Sequence, residues 1–190
     1  MPKSKRRAFA WAVAWACLAL TGCGGSSDSQ LFQKGEDLYR AARFQEAVPV
    51  FKQFLLKHPD HSGAHLYLGG CYQFSDQWSF LAQGEIETAL YYFHRDGNKS
   101  TIPRFSNDYF ELRCYLDLIK IQYARLTFAI SPQAPPQILP PILNDFQHSV
   151  AEAQRIAPDN AEVQGIAKTA EEVVRLAQQV AIQRGVSVGS

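Results

Sequence analysis

The chain has 190 residues and a formal net charge of +1, but that charge is unevenly divided. Lys3, Lys5, Arg6 and Arg7 precede Gly22 with no acid among them, so the fifteen basic and eighteen acidic residues from Cys23 onward leave that part about three charges negative. About 170 residues suffice for one domain that buries roughly two thirds of its unfolded surface without disulfides or metals, and its negative balance argues against a nucleic-acid partner.

Residues 3–7 form a positive n-region, and Ala8–Leu20 is a thirteen-residue apolar stretch, too short to span about 30 Å of hydrocarbon as a helix. Leu20-Thr21-Gly22-Cys23 follows. This order resembles the lipobox of bacterial lipoproteins, which implies a signal peptide over 1–22 and a lipid-modified Cys23 at the start of the mature chain. Two or three acyl chains, each contributing about 0.8 kcal/mol per buried CH₂, hold a protein firmly on its membrane. Residues 23–29, rich in Gly and Ser, are expected to form a flexible tether. By the same resemblance, Gly24 in place of aspartate implies the periplasmic face of the outer membrane if the source is Gram-negative. Cys71 and Cys114 are the thiols that remain; they form a disulfide if their helices are neighbours, or serve as two small buried hydrophobes.

Helices are expected at 29–41, 43–57, 62–74 and 85–94, followed by a polar loop over 95–106. At an offset of thirty-four residues the chain compares with itself: Gly35 recurs as Gly69, and Leu68-Gly69-Gly70-Cys71-Tyr72 carries a leucine, a glycine and an aromatic in order. Ala47 and Phe51 are echoed by Ala89 and Phe93, and His58-Pro59-Asp60 closes the first unit. Gly35 and Gly69 mark places where a second helix comes too close for a Cβ, Ala47 and Ala89 do the same on that second helix, and Phe51 and Phe93 fill the space one turn later. Ala42 stands where a glycine often turns the chain. The distance from glycine to phenylalanine is sixteen residues in the first unit and twenty-four in the second, so an eight-residue insertion is expected near 75–84. Its apolar residues Phe74, Trp78, Phe80 and Leu81 either pack over their own unit or form a ledge for a partner.

These motifs resemble the tetratricopeptide (TPR) repeat, with clear units at 28–61 and 62–95. The resemblance implies an all-α fold of antiparallel helix pairs in a short right-handed solenoid, in which neighbouring pairs bury one another's apolar sides. Phe110, Cys114, Leu118 and Ile121 then fall at helical spacing over 107–128, and five prolines between Ser131 and Pro141 make a stiff connector. A helix over 142–156 completes a degenerate third pair spanning 107–157. Ile166, Ala170, Val173, Val174, Ala177, Val180 and Ala181 line one side of a capping helix over 160–184 that ends before Gly185, leaving 185–190 as a disordered tail.

A search for chemistry yields little. His58, Asp60, His61 and His65 crowd one stretch, but as turn, cap and packing residues they do not converge as zinc ligands must. Glu85 and Glu87, like Glu171 and Glu172, point apart on their helices and read as solvated surface. No nucleophile motif, metalloprotease motif or phosphate loop is present in the sequence. No catalysis, metal or cofactor is expected. The resemblance implies a membrane-anchored scaffold that holds a protein partner in the groove between the first helices, in outer-membrane, secretion, pilus or cell-wall assembly. The candidate contacts are Tyr39, Arg40, Tyr67, Gln73, Trp78, Tyr91 and Arg95, with Gly35, Ala47, Phe51, Gly69, Tyr72, Ala89 and Phe93 as packing residues. The alternatives are a structural envelope lipoprotein and an accessory subunit for a small ligand or cell-wall component.

Overall fold

A computed structural model describes residues 24–74 and 79–187. Cys23, the leader and Trp78 therefore lie outside the described residues. Seven α-helices follow in order: α1 (Gly24–Arg40), α2 (Phe44–Leu55), α3 (Ser62–Gln73), α4 (Ser79–Arg95), α5 (Asn107–Ala129), α6 (Leu139–Ile156) and α7 (Ala161–Gln183), with a 3-10 turn over Pro136–Ile138. There is no strand among the described residues. Each helix packs on its neighbours in sequence, most extensively α3 on α4 and α5 on α6, and α3 also touches α1 and α5. The fold is thus an all-α array of paired helices of the helical-repeat kind, with α7 covering the last pair. No helix among the described residues is long and apolar enough to cross a membrane.

The expected tether is corrected first: the backbone is helical from Gly24. Asp28 explains the early start, because its carboxylate lies 2.7 Å from Lys57 Nζ and 3.2 Å from His58 Nε2, pinning the first turns of α1 to the end of α2. The turn between α1 and α2 has Ala42 at φ +56, with the Arg43 N–H donating to the Leu38 carbonyl and the Ala42 N–H to that of Tyr39. That pattern is a Schellman cap built on alanine where glycine is preferred.

Helix contact in the first pair follows expectation: a Cβ on Gly35 would fall 2.7 Å from the ring of the fully buried Phe51. In the second pair the register differs. A Cβ on Gly69 would fall 2.6 Å from Ile86 and 3.1 Å from the Ala82 carbonyl oxygen. Ala82 and Ile86, one turn apart and fully buried, therefore play the part assigned to Ala89 and Phe93. No eight-residue insertion is needed to bring them there; α4 begins at Ser79 instead of 85, and Phe80 and Leu81 belong to its first turns. Phe93 faces onward, stacked on Phe110 of α5 at 5.1 Å, and so joins units instead of filling one. Phe74 stacks on Phe44 at 4.6 Å yet stays exposed, as do Phe80 and Leu81, Phe80 the most of the three. Tyr72 and Ala47 are buried as expected.

The loop over 95–106 is also corrected, since it is not merely polar. Ile102 is fully buried against Gly63, where a Cβ would come within 2.5 Å of it. Thr101 Oγ1 accepts from the Gly63 N–H at 2.7 Å, while His61 Nδ1 accepts from that of Ala64 at 3.0 Å. The start of α3 is thus capped by one residue from its own turn and one from the distant loop. At the other end, Arg184 donates to the carbonyls of Ala129, Ile130 and Ser131, placing a cation on the C-terminus of α5. Gly185 at φ +66 completes the α7 cap and Val186 packs on the core, which corrects the expected tail at 185 and 186; residues 188–190 lie outside the described residues.

Two substitutions check this geometry by urea unfolding followed by helical circular dichroism. Gly69→Ala forces Ile86 or the Ala82 backbone to move and should destabilise by about 1–3 kcal/mol. Ala42→Gly relieves the left-handed strain and should stabilise by about 1 kcal/mol.

Candidate binding groove

The first helices share one face. On it, Tyr39 and Arg40 of α1, Leu66 and Tyr67 of α3, Arg104 and Phe105 of the anchored loop, and Tyr109, Arg113 and Asp117 of α5 surround a pocket of about 120 Å³. Loop anchoring explains why Arg104 arrives here: Ile102, two residues earlier, is locked against α3. Tyr39 lies over Gly70, where a Cβ would come 2.7 Å from its hydroxyl, so the second glycine of the Gly69-Gly70 pair accommodates α1.

Two buried carboxylates organise the charges. Glu36, 4% exposed, has Arg104 Nη2 at 2.9 Å from Oε1 and Arg40 Nη2 at 3.9 Å from Oε2. The Arg104 contact is off the line of a hydrogen bond and is therefore ionic in character. Arg104 also donates to the Tyr67 hydroxyl and lies over the Tyr67 and Phe105 rings at 5.8 and 5.3 Å. Asp117, 1% exposed, accepts from Arg113 Nε at 2.9 Å and has Lys120 Nζ at 3.6 Å, while its Oδ1 makes no hydrogen bond. Burial, then the hydrogen bond and charge of Glu36, raise the Tyr67 phenol well above its usual range. Tyr39 is raised mainly by burial. Burial works against the Arg113 charge, but Asp117 more than offsets it and the guanidinium is held above its ordinary value.

Along α5 the face continues into a second pocket of about 450 Å³ whose lining includes Ile119, Lys120, Tyr123, Phe146, Glu162, Ile166 and Ala170. Asp117 borders the first pocket and its partner Lys120 the second, so a cationic, aromatic end runs into an apolar end. The larger notch, about 840 Å³, lies between α1 and α2, where Arg43 pairs with Glu46.

Of the residues expected from sequence, Tyr39, Arg40 and Tyr67 meet in the first pocket. Tyr91 and Arg95 do not: both lie on α4, the second helix of its pair, Tyr91 exposed and packed edge-on to Tyr92, and Arg95 over the Tyr92 ring and paired with Asp60 and Asp96. Gln73 ends α3 outside the pocket. Glu36, Arg104, Phe105, Tyr109, Arg113 and Asp117 were missed. Glu36-x₃-Arg40 and Arg113-x₃-Asp117 are visible i, i+4 pairs, whereas nothing local marks Arg104.

The other candidates go elsewhere. His58 contacts Asp28, His61 caps α3, and His65 sets Nδ1 2.6 Å from Glu85 and Nε2 2.8 Å from the Pro59 carbonyl. Glu85 is thereby corrected from solvated surface to a link between α3 and α4. Cys71 and Cys114 are buried as thiols, not joined as a disulfide; burial pushes the Cys71 thiol up to about 12 and raises that of Cys114, away from thiolate chemistry.

Burial pushes His61 down to about 4 from 6.5, in keeping with Nδ1 as an acceptor. A depressed histidine contributes stability that is complete above about 6.5 and is lost as pH falls toward 4, here on the order of 1–2 kcal/mol. Urea unfolding from pH 7 to 4.5 should show that loss, and His61→Asn, which keeps a cap without a proton to gain, should remove this part of the slope. No family model matches the chain, and neither does any curated protein or solved structure.

Proposed function

We propose that this chain is a TPR-type scaffold, held on an envelope membrane by lipid at Cys23, that binds a protein partner along the face formed by α1, α3 and α5. One observation carries the binding half of this reading. Glu36 and Asp117 are buried at the cost of their hydration, and they gather Arg40, Arg104, Arg113 and Lys120 on one face of a chain that is acidic from Cys23 onward. Four cations against three carboxylates, Glu36, Asp117 and Glu162, leave the face positive, and partly exposed guanidiniums beside aromatic rings are suited to a partner's acidic side chains. The adjoining apolar pocket provides burial for residues that follow along the same segment. The lipid half rests on the order Leu20-Thr21-Gly22-Cys23.

A photoreactive residue at Tyr109 in cells should capture a discrete protein, and the Arg40→Gln and Lys120→Gln pair, which leaves Glu36 with Arg104 and Asp117 with Arg113, should reduce capture at least several-fold, as loss of ionic contacts predicts. The same probe at Tyr91 on α4 should capture markedly less. Capture at Tyr91 and not at Tyr109 would overturn the groove. Labelled palmitate should enter the wild type and not Cys23→Ser; equal labelling would remove the lipid anchor from Cys23.

A further inference from the structure

A third pocket lies on a different side of α5, between α4 and α6, and has the opposite polarity. Tyr115, Leu118 and Gln122 form one stripe of α5 facing it, with Glu87 and Leu90 from α4 and Asp145, His148 and Ser149 from α6, around about 180 Å³. Gln122 is 3% exposed, yet its Oε1 is buried without a hydrogen bond. An amide carbonyl left so in a low-dielectric interior is costly, and because Gln122 lines this pocket a donor seated there would satisfy it. Glu87 and Asp145 border the same space, and neither takes part in an ion pair among the described residues.

The placement of Glu87 is not accidental to its helix. Gln83 Nε2 donates to it at 2.6 Å, and Arg125 of α5 donates to the other end of the same Gln83 amide, so the chain Arg125, Gln83, Glu87 braces the carboxylate across two helices. His148 stands edge-on to the Tyr115 ring at 6.2 Å. An acceptor at the wall, two anionic acceptors at the rim and the apolar side chains of Leu90 and Leu118 between them call for a ligand with several N–H donors, one positive charge and a slender apolar stem.

We propose that this pocket binds a primary ammonium carried on an alkyl stem, its N–H groups donating to Gln122 Oε1 and its charge met by Glu87 and Asp145. The chemistry is shared by a lysine side chain and a free alkylamine. The site is independent of the groove across α1, α3 and α5.

The test is a titration of the ¹⁵N-labelled mature chain, without its lipid, at neutral pH by NMR, with Nα-acetyl-lysine amide, n-butylamine and the uncharged Nα-acetyl-norleucine amide as probes. Both amines should shift resonances of α4, α5 and α6 around Gln122 and Ser149, and norleucine amide should not. Tighter binding of the lysine amide assigns a peptide source, and equal binding a free amine. Gln122→Met removes the orphan acceptor at similar length, so it should leave stability unchanged or higher while weakening amine binding about tenfold, the loss of one charge-assisted hydrogen bond. Glu87→Gln and Asp145→Asn should each weaken it several-fold, as loss of an exposed charge does, and Arg43→Ala, whose exposed pair with Glu46 lies at the α1–α2 turn, should leave it unchanged. Shifts of equal size with norleucine amide, no shifts with either amine, or full binding by Gln122→Met would each overturn the proposal.

Discussion

The close approach of paired helices, made possible where no side chain intervenes, is the constraint on which the remaining architecture depends. At Gly35 the ring of Phe51 occupies the place of a Cβ, and at Gly69 Ile86 does so while the Ala82 backbone stands just behind. Glycine inside a helix gives up backbone entropy, and here dense packing of large side chains against bare backbone offsets it. Once the pairs are that close, their first helices are side by side and Tyr39 of α1 reaches over Gly70 of α3. The groove is thus a consequence of packing behind it.

Charge on the groove is organised from beneath. Glu36 and Asp117 are nearly fully buried, and each is surrounded by cations whose stems reach outward. Buried ion pairs add little net stability, because desolvation offsets the attraction, but they hold guanidiniums in place, which flexible surface arginines lack. Arg104 shows how far the arrangement is cooperative. It belongs to a loop, and that loop is fixed by Ile102 against Gly63 and by Thr101 at the start of α3. The turn that caps a helix is the same turn that delivers a groove cation.

The two sides of α5 carry opposite chemistry for a simple geometric reason. A helix of twenty-three residues surrounded by α3, α4 and α6 presents separate stripes to each. Arg113, Asp117 and Lys120 fall on one stripe, and Tyr115, Leu118 and Gln122 on another. Cationic groups are therefore concentrated where the first helices meet, while two carboxylates outside any ion pair among the described residues and the unpartnered Gln122 carbonyl collect between α4 and α6.

Helix pairing, the start of α7 at its Asn160 cap and its end before Gly185, and three of the groove residues were legible in the residues alone, because each rests on spacing within a single helix or turn. What was misread depended on contacts between distant segments. Asp28 turns a Gly-Ser stretch into helix by reaching Lys57 and His58, and the Ala89–Phe93 echo is a heptad beyond the pair Ala82–Ile86 that meets Gly69. Glu36 gave no sign of burial, since an i, i+4 pair with Arg40 looks like any solvated helix face until Tyr67 and Arg104 close over it. Local periodicity determines which elements form and which side of each is apolar, since it acts within a few turns of backbone. Which polar group is covered, and by what, was decided only when separate helices came into contact, because burial belongs to the assembled packing and to no short stretch of chain.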